Sequence, residues 1–282
     1  MLDDVAGWLR CPHCGAALAF AGAALRCGAG HSFDVARQGY VSLLQPGARG
    51  SGGDTAAMVR ARREFLATGQ YAEVAAALAG AAAVAWPRSG PPGCVIDVGA
   101  GTGYYLAAVL DRLPAAAGLA LDLSRYALRQ AARAHPRAGA VGCDAWRPLP
   151  VRDAAASVVL NVFAPRDGAE MRRILLLDGR LLVVTPAEGH LKELTGPLGL
   201  LGVDERKRER LGDKLGPHFD LVSEREHLGV MTLGHRDVAA LATMGPTAWH
   251  ADQQEMAARI ACLPDPVRVT RAVRLTVLRP RP

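Results

Sequence analysis

The run Val95-Ile96-Asp97-Val98-Gly99-Ala100-Gly101-Thr102-Gly103-Tyr104 restricts the fold of this chain more than any other segment. Its apolar start reads as a buried strand. The glycines then let the backbone turn sharply and approach a ligand closely before a helix begins. Such a unit belongs to open, mostly parallel α/β sheets, which bind ligands at the carboxyl ends of their strands. The neighbouring sequence agrees: strands are predicted over Cys94–Val98, Leu119–Leu123, Ala140–Cys143, Ser157–Val162 and Arg180–Thr185. Helices alternate with them, the first through Leu113 and the second through Ala134, so the sheet should be covered on both faces. Asp220–Leu228 and Val267–Leu278 read as two more strands around a polar, helical insertion, and predict an antiparallel hairpin at one sheet edge.

A dinucleotide fingerprint would place its third glycine at position 104, which is Tyr104. The glycines fall instead at 99, 101 and 103 behind Asp97, a spacing that resembles the cofactor turn of S-adenosylmethionine-dependent methyltransferases. Asp122 ends the next strand, nineteen residues past Gly103, where a carboxylate can accept both ribose hydroxyls. Asp144 follows another short strand and is placed to meet an adenine amine. The cofactor set is therefore Asp97, Gly99, Gly101, Thr102, Gly103, Asp122 and Asp144, on a Rossmann-like class I methyltransferase sheet. A Rossmann domain that binds a nicotinamide cofactor is the competing reading.

Cys11-x2-Cys14-x12-Cys27-x3-His31 supplies four ligands in two close pairs. Each pair can grip one side of a tetrahedral ion, and thiolates with an imidazole suit zinc. Four protein ligands leave no open position, so the zinc should be structural and should hold together a small zinc-ribbon-like module. His13 could exchange with His31 only under strain, and three buried thiols without metal is the bland alternative. Cys94, Cys143 and Cys262 are isolated and read as buried free thiols.

Three regions follow: residues 1–44 with the metal ligands, a linker and helical segment over 45–93, and the sheet domain over 94–282. The stretch from Gln45 to Gly53 is glycine-rich and reads as a flexible boundary. Asp54 or Thr55 can cap a helix ending near Gly69, and a second alanine-rich helix spans Ala72–Ala85. No apolar stretch is long enough for a membrane span, and the first residues are acidic where a secretory signal is basic, so a cytoplasmic protein without a membrane partner is expected. The net charge of +6 permits an anionic partner without proving one. Only Lys192, Lys207 and Lys214 are lysines, so part of the arginine content reflects a GC-rich coding bias.

Asn161-Val162-Phe163-Ala164-Pro165 follows the fourth strand, where methyltransferases acting on a base nitrogen often carry a polar residue, an aromatic ring and a proline. Further segments are His31-Ser32-Phe33-Asp34, Gln38-Gly39-Tyr40-Val41, Leu43-Leu44, Gly53-Asp54-Thr55, Ala61-Arg62-Arg63, Phe65-Leu66, Gly69 and Tyr71, Thr185-Pro186 with His190-Leu191, and Met244 through Trp249, several of which have no role in generic methyltransferases. With the Cys3His knuckle, they resemble the bacterial 23S ribosomal RNA guanine-N1 methyltransferases of the RlmA type over nearly the whole chain. The resemblance implies methylation of a guanine in a hairpin loop of 23S RNA at the peptide exit tunnel. It also points to the Gram-positive branch associated with resistance to tylosin-like macrolides, and implies cofactor-pocket roles for Tyr71 and His190.

Guanine N1 carries a proton that must leave during or before transfer, so a base or a stabiliser of the enolate oxygen is expected. Asn161, Glu188 and His190 are the candidates near the mouth, with Phe163 either a stacking ring or core. The zinc module and Arg60, Arg62 and Arg63 are candidates to hold the RNA backbone, unless those arginines form a solvated helix face. Other readings stay open: methylation of another RNA or a small molecule, or a zinc-ribbon RNA-binding protein with a degenerate catalytic domain. A homodimer is compatible with all of them.

Overall fold

The computed structural model describes residues 2–45, 53–87, 93–200, 213–245 and 252–282. Most of the Gln45–Gly53 linker, Pro91-Pro92 and the Pro246–Trp249 part of one motif lie outside these residues.

The chain opens with a short helix, α1 (Leu2–Ala6), and three antiparallel strands, β1 (Leu18–Ala21), β2 (Ala24–Cys27) and β3 (Ser32–Asp34). The next strand, β4 (Tyr40–Ser42), leaves that small sheet and joins the main one. Two helices follow, α2 (Ala56–Ala67) and α3 (Ala72–Ala85). Of the two caps considered for α2, Thr55 serves: its hydroxyl accepts the Met58 N–H at 3.2 Å.

The α/β part runs β5 (Cys94–Val98), α4 (Tyr104–Arg112), β6 (Gly118–Asp122), α5 (Arg125–Ala131), β7 (Ala138–Gly142), β8 (Ala156–Val162), α6 (Gly168–Ile174) and β9 (Leu175–Pro186). Then come α7 (Lys192–Leu198), β10 (Phe219–Leu233), α8 (His235–Thr243), α9 (Gln253–Ala261) and β11 (Val267–Pro280). The strand order is β10-β11-β9-β8-β5-β6-β7-β4. β11 pairs antiparallel with both β9 and β10, and α8 and α9 form the insertion between the last two strands. This is the Rossmann-like class I methyltransferase sheet with its antiparallel terminal hairpin. Among the described residues no helix is long and apolar enough to cross a membrane.

β4 was not anticipated. It pairs parallel with β7, Val41 opposite Val141, so the chain leaving the zinc-bearing segment becomes the eighth strand of the main sheet. Packing makes the same connection. One face of the sheet presents Val95, Leu160 and Leu182 to α2, α3 and α4. The other presents Ile96, Val159 and Leu181 to a core that includes Val5, Leu9, Cys11, Leu25 and Cys27. The alternation of the strand residues assigns neighbours to opposite faces, and the first segment covers one of them. Cys94 and Cys143 are buried as expected, whereas Cys262 is exposed at the end of α9, where no core lies over it.

Candidate functional site: a metal knuckle and a cofactor turn

Cys11, Cys14, Cys27 and His31 converge, with their four ligand atoms all within 4.8 Å of one another. Two glycines in the left-handed region make the turns: Gly15 (φ 73°) donates to the Cys11 carbonyl, and Gly30 (φ 86°) donates to the Cys27 carbonyl. The Cys14 and Cys27 sulfurs are 3.7 Å apart, and His31 Nδ1 lies 3.4 and 3.6 Å from the Cys27 and Cys11 sulfurs. A tetrahedron with zinc–sulfur bonds of about 2.3 Å and a zinc–nitrogen bond of about 2.0 Å has edges of about 3.8 and 3.5 Å. The donor set therefore fits zinc in both chemistry and spacing. His13 does not exchange with His31; it is exposed, and its ring stacks against Phe33 at 5.7 Å.

The glycine turn lies where β5 ends. Gly99 and Ala100 donate to the Leu121 carbonyl at 2.8 and 3.0 Å, which ties the turn to β6. Gly99 and Gly103 both have φ near +79°, and a side chain at either would collide with a neighbour, Ala164 or Ala134 respectively. Gly101 has more room: the nearest atom to a built Cβ is Arg62 Nη1 at 3.5 Å. Asp122 accepts the Gly101 N–H on Oδ2 and the Ser124 N–H on Oδ1, each at 2.8 Å. Burial pushes its carboxyl up to about 6 despite those donors. Asp144 is also buried, and its Oδ1 accepts the Trp146 N–H at 2.9 Å.

Asp97 is the anomaly. It is 1% exposed, and neither carboxylate oxygen has a hydrogen-bond partner. Burial and the neighbouring Asp122 push its pKa up to about 8. A carboxylate without donors in the interior is costly. The cost makes sense if a cationic ligand completes the site.

At the mouth, Tyr71, Phe163 and His190 form an aromatic group. Phe163 stacks on His190 at 6.3 Å and meets Tyr71 edge-on at 6.2 Å. Of the two readings of Phe163, the core one is overturned: the residue is 40% exposed, with φ at +51°, because the turn after β8 swings its ring outward. His190 Nδ1 accepts the Ala272 N–H at 3.2 Å, so Nε2 carries the hydrogen that points to the Tyr71 hydroxyl 3.3 Å away. Burial and the charge of Arg271 hold His190 down at about 4, so the ring is neutral at pH 7. Asn161 is fully buried and donates to the Val98 and Pro165 carbonyls at 3.2 and 2.9 Å, while its Oδ1 has no partner. Glu188 is exposed in the turn after β9.

Three residues of this region were not assigned to it from sequence. Arg62 is drawn over the glycine turn by Asp54 and by the Met244 carbonyl, 2.8 Å from Nη2. It is thus removed from the set of arginines offered to an RNA backbone, because a carboxylate and a carbonyl already occupy its guanidinium; Arg60 and Arg63 stay exposed. Asp54 also uses its own carbonyl to accept the Ser124 hydroxyl at 2.6 Å. Arg271 is 5% exposed and binds the Gln70 carbonyl and Glu73, which fixes the start of α3 on either side of Tyr71. An Arg271→Met variant should raise the titration midpoint of His190 above about 4, read by NMR of the imidazole, because a nearby cation is gone. It should also cost about 1–3 kcal/mol of stability through the unpaired groups it leaves, measured by denaturant unfolding.

Comparison with known proteins fits this geometry. The N-terminal zinc-ribbon model of RlmA matches residues 9–48. A Streptomyces fradiae protein, the 23S rRNA (guanine(748)-N(1))-methyltransferase, is 49% identical over 282 residues, covering 100% of both chains. The chain belongs to the 23S rRNA (guanine-N1)-methyltransferase family. A candidate 23S rRNA (guanine-N1)-methyltransferase from Micromonospora griseorubida is 53% identical, over 99% of this chain and 100% of its own. A further candidate from Bacillus subtilis is 30% identical, over 88% and 89% of the two chains. This methyltransferase therefore carries S-adenosylmethionine as its cofactor. The residues fit it: a buried unpaired carboxylate at Asp97 for a cationic ligand, backbone without side chains at Gly99, Gly101 and Gly103, and Asp122 on the adjacent strand end.

Proposed function

We propose that this methyltransferase transfers a methyl group from S-adenosylmethionine to N1 of a guanine in a hairpin loop of 23S rRNA at the peptide exit tunnel. The observation that carries the reading is the full-length 49% identity to the Streptomyces fradiae enzyme, whose name gives guanine 748 as its target. The reaction takes place in the cytoplasm, and protection against tylosin-like macrolides is its physiological effect. Residues 1–44 serve as the RNA-recognition module, 45–93 as the connecting segment and 94–282 as the catalytic domain. A homodimer is compatible with this site.

When bound, the cofactor supplies a methyl group on a sulfonium, so the protein's main task is alignment. Thr102 and the glycines shape the turn, Asp97 and Asp122 hold the cationic and ribose ends, and Asp144 meets the adenine. His190 gives its only ring hydrogen to Tyr71, so the Tyr71 hydroxyl keeps its own for the cofactor. With both ring nitrogens engaged, His190 orients and does not take the guanine proton. The free Oδ1 of Asn161 suits the exocyclic amine of guanine, and the exposed ring of Phe163 gives the base a face to lie on. That leaves the carboxylate of Glu188 to receive the N1 proton, directly or through water.

The test is incubation with labelled cofactor and transcribed 23S rRNA hairpins, followed by mapping of the modified nucleotide. Label on N1 of a loop guanine is the expected result. No incorporation into any 23S hairpin would overturn the reading. In the same assay, Glu188→Gln should lower kcat by about 100-fold, the size of a general-base contribution, with little change in KM.

A further inference from the structure

Among the described residues, three Phe, Tyr or Trp side chains are exposed: Phe20 on β1, Phe163 at the mouth, and Trp146. The first lies in the zinc-bearing segment, and the second has a role above. Trp146 has none, and it is the most open of the three at 60%. It follows Asp144 at the carboxyl end of β7, the end of the sheet where the cofactor turn and the acceptor mouth lie.

We propose that Trp146 is a stacking platform for an unpaired base of the RNA substrate beside the methylated guanine, an inference that rests on the RNA reading above. The loop that carries it is rigidly held by other residues. Leu149 and Val151 are buried, and the Leu149 N–H donates to Glu170 at 2.6 Å. Arg173 donates to the Leu149 and Val151 carbonyls at 3.0 and 2.7 Å. The Arg10 N–H donates to the Pro150 carbonyl at 3.1 Å, so the same loop is tied to the zinc-bearing segment next to Cys11. None of these anchors uses the indole. An exposed tryptophan on a fixed loop is not needed to fill a core, since the loop's own core residues are Leu149 and Val151.

The surroundings select the ligand. The ammonium of Lys214 lies 4.9 Å from the centre of the Trp146 ring. Lys214 reaches it from a segment packed against Gly168 at the start of α6, on the far side of β8 from β7. Arg147 follows directly; its Nε lies 3.9 Å from the Asp144 carboxylate, and 43% of its side chain is exposed. With one cation over its ring and another next to it in the chain, an indole that is still 60% exposed matches a nucleobase with its phosphate, and base–aromatic stacking does not depend on which base is present. A protein partner would call for a wider apolar patch, and the residues beside the indole are charged.

The test uses the full-length protein, a transcribed 23S rRNA hairpin that the wild type methylates, and fluorescence anisotropy for affinity. Trp146→Ala should weaken hairpin binding about tenfold, within the range of about 5- to 150-fold measured for loss of a stacked base. Trp146→Phe should restore most of it, while the melting temperature and calorimetric cofactor affinity stay at wild-type values. Unchanged hairpin affinity in Trp146→Ala, with the wild type binding and methylating normally, overturns the stacking role and leaves the function intact. A wild type that neither binds nor methylates any hairpin overturns both.

Discussion

Asp97→Asn will weaken cofactor binding by about 100-fold or more while making the cofactor-free protein more stable. The two effects have one cause. The Asp97 carboxylate is buried with no donor to either oxygen, and it faces the field of Asp122. Its pKa is raised from 3.8 to about 8. In the unfolded chain the group loses its proton near pH 4, whereas the folded, cofactor-free protein keeps it to about pH 8. The folded state therefore binds more protons across that window, and its stability declines as pH rises from about 4 to about 8. An amide needs no ionisation, so the variant should lose that slope. Binding shows the opposite dependence. A cationic ligand needs the carboxylate charged, so below about pH 8 its binding must expel a proton, and affinity should rise up to about tenfold per pH unit until the slope flattens. The loss of about 100-fold is at the low end of what removing one partner of a buried charge pair costs. Calorimetry in buffers of different ionisation enthalpy measures the proton release, and urea melts at several pH values measure the stability. A pH-independent affinity, or an Asp97→Asn protein less stable than wild type at pH 7, would exclude an Asp97 that is neutral until the ligand arrives.

The distribution of what sequence could and could not reveal follows from the range of each interaction. The glycine turn is local, since its φ values and close contacts are set within a few residues, so Gly99, Gly101 and Gly103 are legible as a pattern. The same holds for the two metal-ligand pairs, each closed by its own glycine turn. The parallel strands declare themselves as apolar runs because both faces are covered. Phe163 shows where local reasoning ends: an aromatic after a buried strand reads as core, and only the turn geometry sends it outward. Arg62 and Arg271 fail for a different reason. Asp54 is eight positions from Arg62, but the contacts that place these arginines in the fold are to the Met244 carbonyl, 182 positions from Arg62, and to Glu73, 198 positions from Arg271. Nothing in an arginine's neighbours announces such a contact. The pairing of β4 with β7 is missed on the same grounds, since three residues carry little pattern and their partner lies about a hundred positions on.

That pairing sharpens the second large effect. Loss of the metal through Cys14→Ser should abolish RNA methylation, lower the melting temperature, and still leave one cooperative unfolding transition. Two independent domains would give two transitions, with the sheet domain melting where it always does. Here Cys11 and Cys27 lie in the same buried cluster as Ile96, Val98, Leu119 and Leu121, and β4 is hydrogen-bonded into the main sheet. Unfolding of the first segment strips cover from one face of that sheet, so the whole domain must register the loss. Structural zinc contributes about 10–16 kcal/mol to folding in small zinc modules, which is more than the net stability of most domains. The reduction here should be smaller, because Leu9, Leu25 and Val41 stay attached to a core they share. Cofactor affinity should change by less than about tenfold, since Asp97, the glycine turn and Asp122 sit on β5 and β6, whose pairing partners β7 and β8 remain. Calorimetric melting with and without a zinc chelator, alongside cofactor titration of the variant, separates the outcomes. Two resolved transitions would mean that the shared core does not couple the segments. An unchanged melting temperature would mean that the four ligands hold no metal.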